Sequence, residues 1–372
     1  MVGEASGDAL GAPLLAELRR RDPDIEAVGL AGDRMQALGM RSLFDIEVTS
    51  VMGIGPVVAR LPEIVRCVWR TVADVEREAP DVLVAIDSPD FTHAVARRVR
   101  RRLPRLPIVN YVCPSVWAWR SGRARAMRDY VDHVLALLPF EPAVLKKLHG
   151  PAATYVGHPL AHLAEQDPEP TDDSQRLLVL PGSRRSEHDR LLPIFEQSLA
   201  ILADRGAGFH AVMPVPARFE SAVRSRVGGW RTSVDVVTSQ PEGASFIGAR
   251  AALAASGTVS LELALRSVPM VLAYRTDPGM RAISRMVTTW SAALPNLIAD
   301  RVVVPENIDA FAKPERLARQ VQDLLEEGPA RNAQLAGLEA VRAAVRTERP
   351  ASVAAADVVV DLARGQRALT ST

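Results

Sequence analysis

The stretch VLVAIDSPDF, residues 82–91, runs an apolar segment straight into two carboxylates with a proline between them. An unbroken apolar run of this length reads as a strand buried on both faces. The acids and the proline read as the turn that opens a helix near Thr92. The pattern returns at PIVNYV (107–112) and HVLALL (133–138). After a break it continues at LLVLPG (177–182), FHAVMPV (209–215), VDVVT (234–238), AALAAS (251–256) and PMVLAY (269–274). Amphipathic, often Arg-rich segments lie between. Alternation of this kind predicts an α/β protein with parallel sheets covered on both faces. The break, LAEQDPEPTDDSQ at 163–175, is acidic, holds two prolines and lacks apolar periodicity, as an interdomain linker does. We therefore expect two α/β halves, 1–165 and 166–350, with a helical segment at 351–372 completing the first. The carboxyl ends of the strands would line a cleft between them, where open α/β sheets bind ligands.

Composition narrows the function classes. The 372 residues suit about two domains. Lys and Arg number 45 against 44 Asp and Glu, so nothing global attracts nucleic acid or membrane, and any such attraction must be local. The two cysteines, Cys67 and Cys113, exclude a disulfide framework and fit a reducing compartment. No signal peptide is legible, and the most apolar stretch, 251–274, is interrupted by Glu262 and Arg266. The histidines are scattered. His158 and His162 have helical spacing, but Pro159 intervenes and no third metal ligand is in view.

Four places can carry chemistry. Asp87 and Asp90 stand where the first strand ends, and a carboxylate facing a cleft can act as a general base, although either alone could simply cap the helix. In LPGSRRSE (180–187), Gly182 allows a close approach, and Ser183, Arg184 and Arg185 stand at the mouth of a turn. Arginine offers a planar fork of donors to phosphate, whereas a capping box between Ser183 and Glu187 is the plainer alternative. In SGTVSLE (256–262), Ser256, Gly257 and Thr258 form a helix start suited to a diphosphate, and Glu262, one turn on, can accept from ribose hydroxyls. In NYVCPSVWAWRSGRAR (110–125), Trp117 and Trp119 can bound a sugar or acyl pocket, followed by Arg120, Arg123 and Arg125. The opening turn GEASGD (3–8) resembles a backbone cradle before a helix, capped by Ser6 or Asp8. Pro13 would remove a hydrogen bond inside that helix, so a late start or a kink is expected. For lipid, Ile64, Val65, Val68, Trp69 and Val72 form an apolar stripe among Arg60, Arg66 and Arg70, and ARRVRRRLPR (96–105) is densely basic.

Taken in order, GEASGD, SVMG (50–53), IDSPDF, YVCPSVWAWR, LLPFEP (137–142), VGHPL (156–160), LPGSRRSE, SGTVSLE, LPNLIA (294–299) and VVPE (303–306) resemble the lipid-A-disaccharide synthase family through nearly the whole chain. The resemblance implies a GT-B glycosyltransferase with two Rossmann-like domains facing a cleft. The first would take the acceptor and the second the UDP-sugar. The implied reaction joins UDP-2,3-diacylglucosamine to 2,3-diacylglucosamine 1-phosphate (lipid X), with inversion and without a metal or other cofactor. It implies a cytoplasmic enzyme peripheral on the inner face of the inner membrane, with no nucleic-acid partner, and leaves room for a homodimer. Residue by residue, it makes Asp90 the general base and Asp81 a support for that strand end. It puts Glu4, Ser6, Trp117 and Arg120 on the acceptor side. Gly182, Ser183, Arg184, Ser256, Gly257, Thr258 and Glu262 would hold UDP, with Arg184 meeting the leaving group, and Asn296 and Glu306 would belong to the donor side of the cleft.

The family places an apolar strand before GEASGD, and here only Met1 and Val2 precede it. From ordinary strand lengths, the expectation is a natural start roughly ten residues upstream. Otherwise the first sheet would lack a central strand. Two other readings stay open at this point. One is another GT-B enzyme on a UDP-sugar, a peptidoglycan-type transferase or an epimerase. The other is a weakly catalytic, membrane-associated UDP-binding protein.

Overall fold

A computed structural model describes residues 1–49, 54–166, 175–240, 245–276 and 287–370, with the side chains of 54–59 and 366–370 left aside. The SVMG motif and most of the 163–175 stretch lie outside them. The chain divides into two compact units, Met1–Pro159 with Thr347–Thr372, and Leu160–Arg346. The division falls at 159/160 and 346/347, a few residues before the positions read from composition.

The first unit is a parallel sheet ordered β1 (Leu83–Ile86), β2 (Ile108–Tyr111), β3 (His133–Ala136), β4 (Ala152–Tyr155). Its three expected strands are present, and β1 to β3 are apolar on both faces because helices cover both. Among the described residues seven helices accompany it, α1 (Ala5–Arg21), α2 (Asp33–Ala37), α3 (Ile54–Glu78), α4 (Pro89–Arg102), α5 (Gly122–Met127), α6 (Glu141–Lys147) and one at the C-terminus. On one face Val68, Val72, Val95, Val99, Met127 and Leu145 pack together. On the other, Leu14, Leu15 and Met35 meet Ala355, Ala356 and Val359 of the C-terminal helix, Ala351–Thr370. That helix is tied to α1 by the Arg21–Asp357 ion pair and by a bond from Arg21 to the Val353 carbonyl.

Met1 and Val2 lie on the free side of β1. Val2 bridges Ile86 in parallel, the Ile86 amide donates to Met1, and the Val2 amide donates to Leu30. From residue 2 the chain therefore passes first to residue 30 on one side and later to β1 on the other. This reversal makes the gap between residue 2 and β1 a switch point, where two successive turns open side by side. Helix α1 starts at Ala5 and runs through Pro13, contrary to the expected late start. Pro13 is exposed, so water can reach the Ala9 carbonyl that it leaves without a helical donor.

The second unit is a six-stranded parallel sheet ordered β10 (Glu306–Ile308), β9 (Met270–Tyr274), β8 (Ala251–Ala255), β5 (Arg176–Leu180), β6 (His210–Val215), β7 (Val234–Thr238). All five expected strands form. Its helices are α7 (Arg185–Asp204), α8 (Ala217–Val227), α9 (Val259–Leu265), α10 (Leu294–Ala299), α11 (Pro314–Leu325) and α12 (Pro329–Val345). Leu191, Phe195 and Leu199 of α7 and Leu317 and Val321 of α11 bury one face of the sheet. Strand β5 pairs with β8 on one side and β6 on the other, with Leu180 opposite Ala254. The turns after β5 and β8 thus leave from neighbouring carboxyl ends at a second switch point.

Candidate active site

At the first switch point the backbone itself is special. Asp87 and Ser88 both have left-handed φ, 54° and 45°, before Pro89 opens α4. Gly3 lies so close to this turn that a Cβ there would come within 2.7 Å of the Ser88 Cβ, so only glycine lets the two turns touch. The result is a cluster of acids. The Ser6 hydroxyl donates to Asp87 at 2.6 Å. Asp90 projects with its side chain 90% exposed, and Arg123 Nη2 of α5 donates to its Oδ1 at 2.8 Å. Burial first, then the nearby Asp87, hold the Glu4 carboxyl above its usual range, while the Ser88 hydroxyl pulls it down and Asp90 adds a smaller upward push.

A buried hydrogen-bond chain lies under this surface. His93, one turn beyond Asp90, meets Tyr130 Oη through Nδ1 and Asn110 Oδ1 through Nε2, both at 3.0 Å. Asn110 donates its amide to the Val112 carbonyl at 2.8 Å, which assigns its oxygen as the acceptor and His93 Nε2 as the protonated nitrogen. Burial, then the Arg123 charge, press the His93 pKa down to about 4, so the ring is neutral. Val112 carries φ of 84°, a strained value for a β-branched residue, at the start of the segment leading to Arg123.

Not every expected residue joins this group. Asp81 precedes β1 and so lies at its amino end, about 13 Å of strand away from the Asp87 turn. It stands at the other end of the strand from Asp87 and Asp90. Trp117 donates to the buried Glu141 at 3.3 Å and packs edge-on against Phe140. Glu141 also accepts the Leu137 and Leu138 amides, and burial raises its pKa to about 7. Arg120 stacks over Trp119 at 4.3 Å. From this arginine run it is Arg123, undistinguished in the sequence, that reaches Asp90. Asp8 does not cap its own helix. It is buried and accepts the amides of Gly32, Arg34 and Met35 at 2.8–3.1 Å, fixing the start of α2.

At the second switch point Gly182 has φ of 105°, and a Cβ on it would fall 2.2 Å from Glu187 Oε2. Glu187 accepts the amides of Ser183 and Arg184 at 2.9 and 3.1 Å, so the cap exists, with Glu187 as its acceptor. The Arg184 guanidinium is 63% exposed and pairs with Glu187 at 3.3 Å. Across from it, Ser256 to Thr258 lead into α9, and a Cβ at Gly257 would meet open space. Glu262 sits mostly inside; burial raises its carboxyl, against the pull of Arg266 at 3.6 Å. Asn296 and Glu306, expected on the donor side of the cleft, hydrogen-bond to each other in the second unit. The Asn296 oxygen accepts the Val303 and Val304 amides, and its nitrogen donates to Ser291, the Val304 carbonyl and Glu306. Glu306 in turn accepts the Ala292 amide and the Ser291 hydroxyl. Among the described residues no cluster of three or more His, Cys, Asp or Glu could hold a metal ion.

The family model described as lipid-A-disaccharide synthetase matches residues 1–358. The chain belongs to the lipid-A-disaccharide synthase family. The lipid-A-disaccharide synthase of Rhodopseudomonas palustris strain CGA009 is 47% identical, with 97% of this chain and 95% of that one covered. The synthase of Nitrobacter winogradskyi is 46% identical over 98% and 95%. Among solved structures, the glycotransferase of kitacinnamycin matches with a TM-score of 0.62 at 17% identity. The UDP-GlcNAc 2-epimerase of Neisseria meningitidis bound to UDP-GlcNAc matches with 0.59 at 14%. Each covers 97% of both chains. At such identities these two speak for the fold alone, which is GT-B, as expected. The synthase relatives, three times as similar in sequence, separate this lipid-A-disaccharide synthase family member from the epimerases that share its fold.

Proposed function

We propose that the chain joins UDP-2,3-diacylglucosamine to 2,3-diacylglucosamine 1-phosphate, forming the lipid A disaccharide 1-phosphate and UDP. The glycosyltransferase class follows from the family; the residue roles are our reading. Its main support is the exposed Asp90 carboxylate just beyond the carboxyl end of β1, in hydrogen-bond contact with Arg123 and near Glu4 and Asp87. The acceptor 6-hydroxyl attacks the donor anomeric carbon from the face opposite UDP. A C–O bond forms, the bond to the diphosphate breaks, and the hydroxyl proton passes to Asp90. Negative charge then grows on UDP. Arg184 is suited to meet it, because an exposed pair with Glu187 is weak and easily exchanged for a diphosphate. The backbone of Ser256, Gly257 and Thr258 would take the diphosphate, and Glu262 the ribose hydroxyls. Asn296 and Glu306 brace the loop at 291–304 rather than touch substrate.

For a lipid substrate the enzyme should sit on a membrane surface. No described helix is long and apolar enough to cross one. The expected stripe on α3 divides: Val68 and Val72 are core, Ile64 is half-buried, and Val65 and Trp69 are exposed, with Leu61 exposed beside them. Arg98 and Arg102 lie over the Trp69 ring at 5.1 and 5.4 Å. An exposed apolar line framed by arginines suits an anionic lipid surface. Asp90→Asn tests the chemistry: transfer should fall by at least ~1000-fold with UDP affinity changed less than about twofold, as expected of a general base. A variant retaining most of its rate would refute the assignment.

A further inference from the structure

We propose that Arg123 recognises the phosphate of the acceptor, and that this phosphate draws Arg123 away from Asp90, so that the acceptor frees its own base. The inference rests on the acceptor reading above and concerns a residue that reading leaves unassigned.

The argument begins with charge. Glu4, Asp87 and Asp90 converge on one strand end, and Arg123 is bonded to one of them, Asp90. A phosphomonoester carries about −1.5 to −2 charges at neutral pH. It could not approach three carboxyl groups without a cation to receive it. The contact between Arg123 and Asp90 is a single bond, from Nη2 to Oδ1, so the guanidinium fork is not matched to both carboxylate oxygens. A phosphate can engage that fork with two parallel bonds and more charge, and it is the stronger partner. The two side chains also differ in setting. Asp90 is 90% exposed, while Arg123 is only 21% exposed. A sheltered arginine beside neutral His93 has only a short way to turn toward a phosphate; an exposed carboxylate is free to turn toward the hydroxyl once released. The other candidates are less suited. Arg120 is stacked on Trp119, and Arg125 is exposed on the same short helix. On the acceptor, the carbons that carry the phosphate and the hydroxymethyl arm, C1 and C5, flank the ring oxygen of a single sugar, a separation within the swing of one arginine side chain.

The test crosses two acceptors with two enzymes: the 1-phosphate acceptor and its dephosphorylated counterpart, each with wild type and Arg123→Met. Wild type should lose ~30–100-fold in kcat/KM when the phosphate is removed, the range of a charged, bidentate contact. Arg123→Met should lose a similar factor on the phosphorylated acceptor, mostly in KM, and under about threefold on the dephosphorylated one, with the donor KM unchanged. Arg123→Lys should recover part of the loss only when phosphate is present. Equal losses by Arg123→Met on both acceptors would overturn the proposal and leave Arg123 as a positioning residue for Asp90. If Arg123→Met does not fold, the Arg123→Lys enzyme decides by the same comparison. Wild type that makes disaccharide from neither acceptor would instead overturn the reading of the reaction, and this inference with it.

Discussion

Asp8 shows what a single side chain can hide. From sequence, a short polar residue in the first turn of a helix reads as a local cap. In the fold it serves backbone 24 to 27 residues away, accepting three amides while 4% exposed. Gly32 is glycine for the same reason, since a Cβ there would lie 2.6 Å from the Asp8 carboxyl carbon. Asp8→Ala leaves those amides without acceptors and should cost about 3 kcal/mol, measured by urea denaturation. Ser6→Ala, which frees only one exposed bond, should cost less than about 1 kcal/mol. The acids at 87 and 90 were legible because a strand end followed by Asp and Pro is a local pattern. Arg123 was not, because its partner is 33 residues distant and nothing in a run of arginines singles it out.

Elements were legible where both faces are buried. Among the described residues the eight strands expected from sequence all form, and the two missed are edges. Strand β4 is only half-buried, and β10 is three residues long, so neither has a run to read. Helix α3 was recognisable as amphipathic, but its wide apolar stripe serves two surfaces, and only neighbours decide which residues face the core. Buried titrating groups on α4 and α6 give this unit opposed responses to pH. His93 falls from its ordinary 6.5 to about 4, so its contribution is present above 6.5 and lost as pH falls through about 4. Glu141 rises from 4.5 to about 7, so its contribution is present below 4.5 and lost as pH rises through about 7. Relative to wild type, Glu141→Gln should gain stability between pH 5 and 7, and His93→Gln should gain as pH falls from 6.5 to 4.5. Denaturation midpoints at these values check both signs.

At the scale of the molecule, composition located the break in the chain but not the side on which its flanks pack. Leu163 and Ala164 are buried in the second unit. Arg342, 2% exposed, donates to the carbonyls of Ala164, Gln166 and Leu265, binding the segment to α12. Linker chemistry is visible in a sequence; an anchor supplied from 178 residues away is not. The first unit depends on a still more distant partner, the C-terminal helix, whose Asp357 is 336 residues from Arg21. Ala356→Asp would bury an unpaired charge against α1 and should destabilise this unit by more than about 3 kcal/mol. Disaccharide synthesis should be lost while UDP binding, measured by calorimetry, persists in the second unit.

Because Ala355, Ala356 and Val359 complete a core begun by Leu14 and Leu15, this half cannot close until the ribosome has made nearly everything else. Residues 160–346 form an uninterrupted block and can settle while still tethered to the exit tunnel. The half proposed to grip nucleotide would thus be ready before translation ends, and the half proposed to accept the proton would be assembled last. Nascent protein would hold its donor before it could do anything with it.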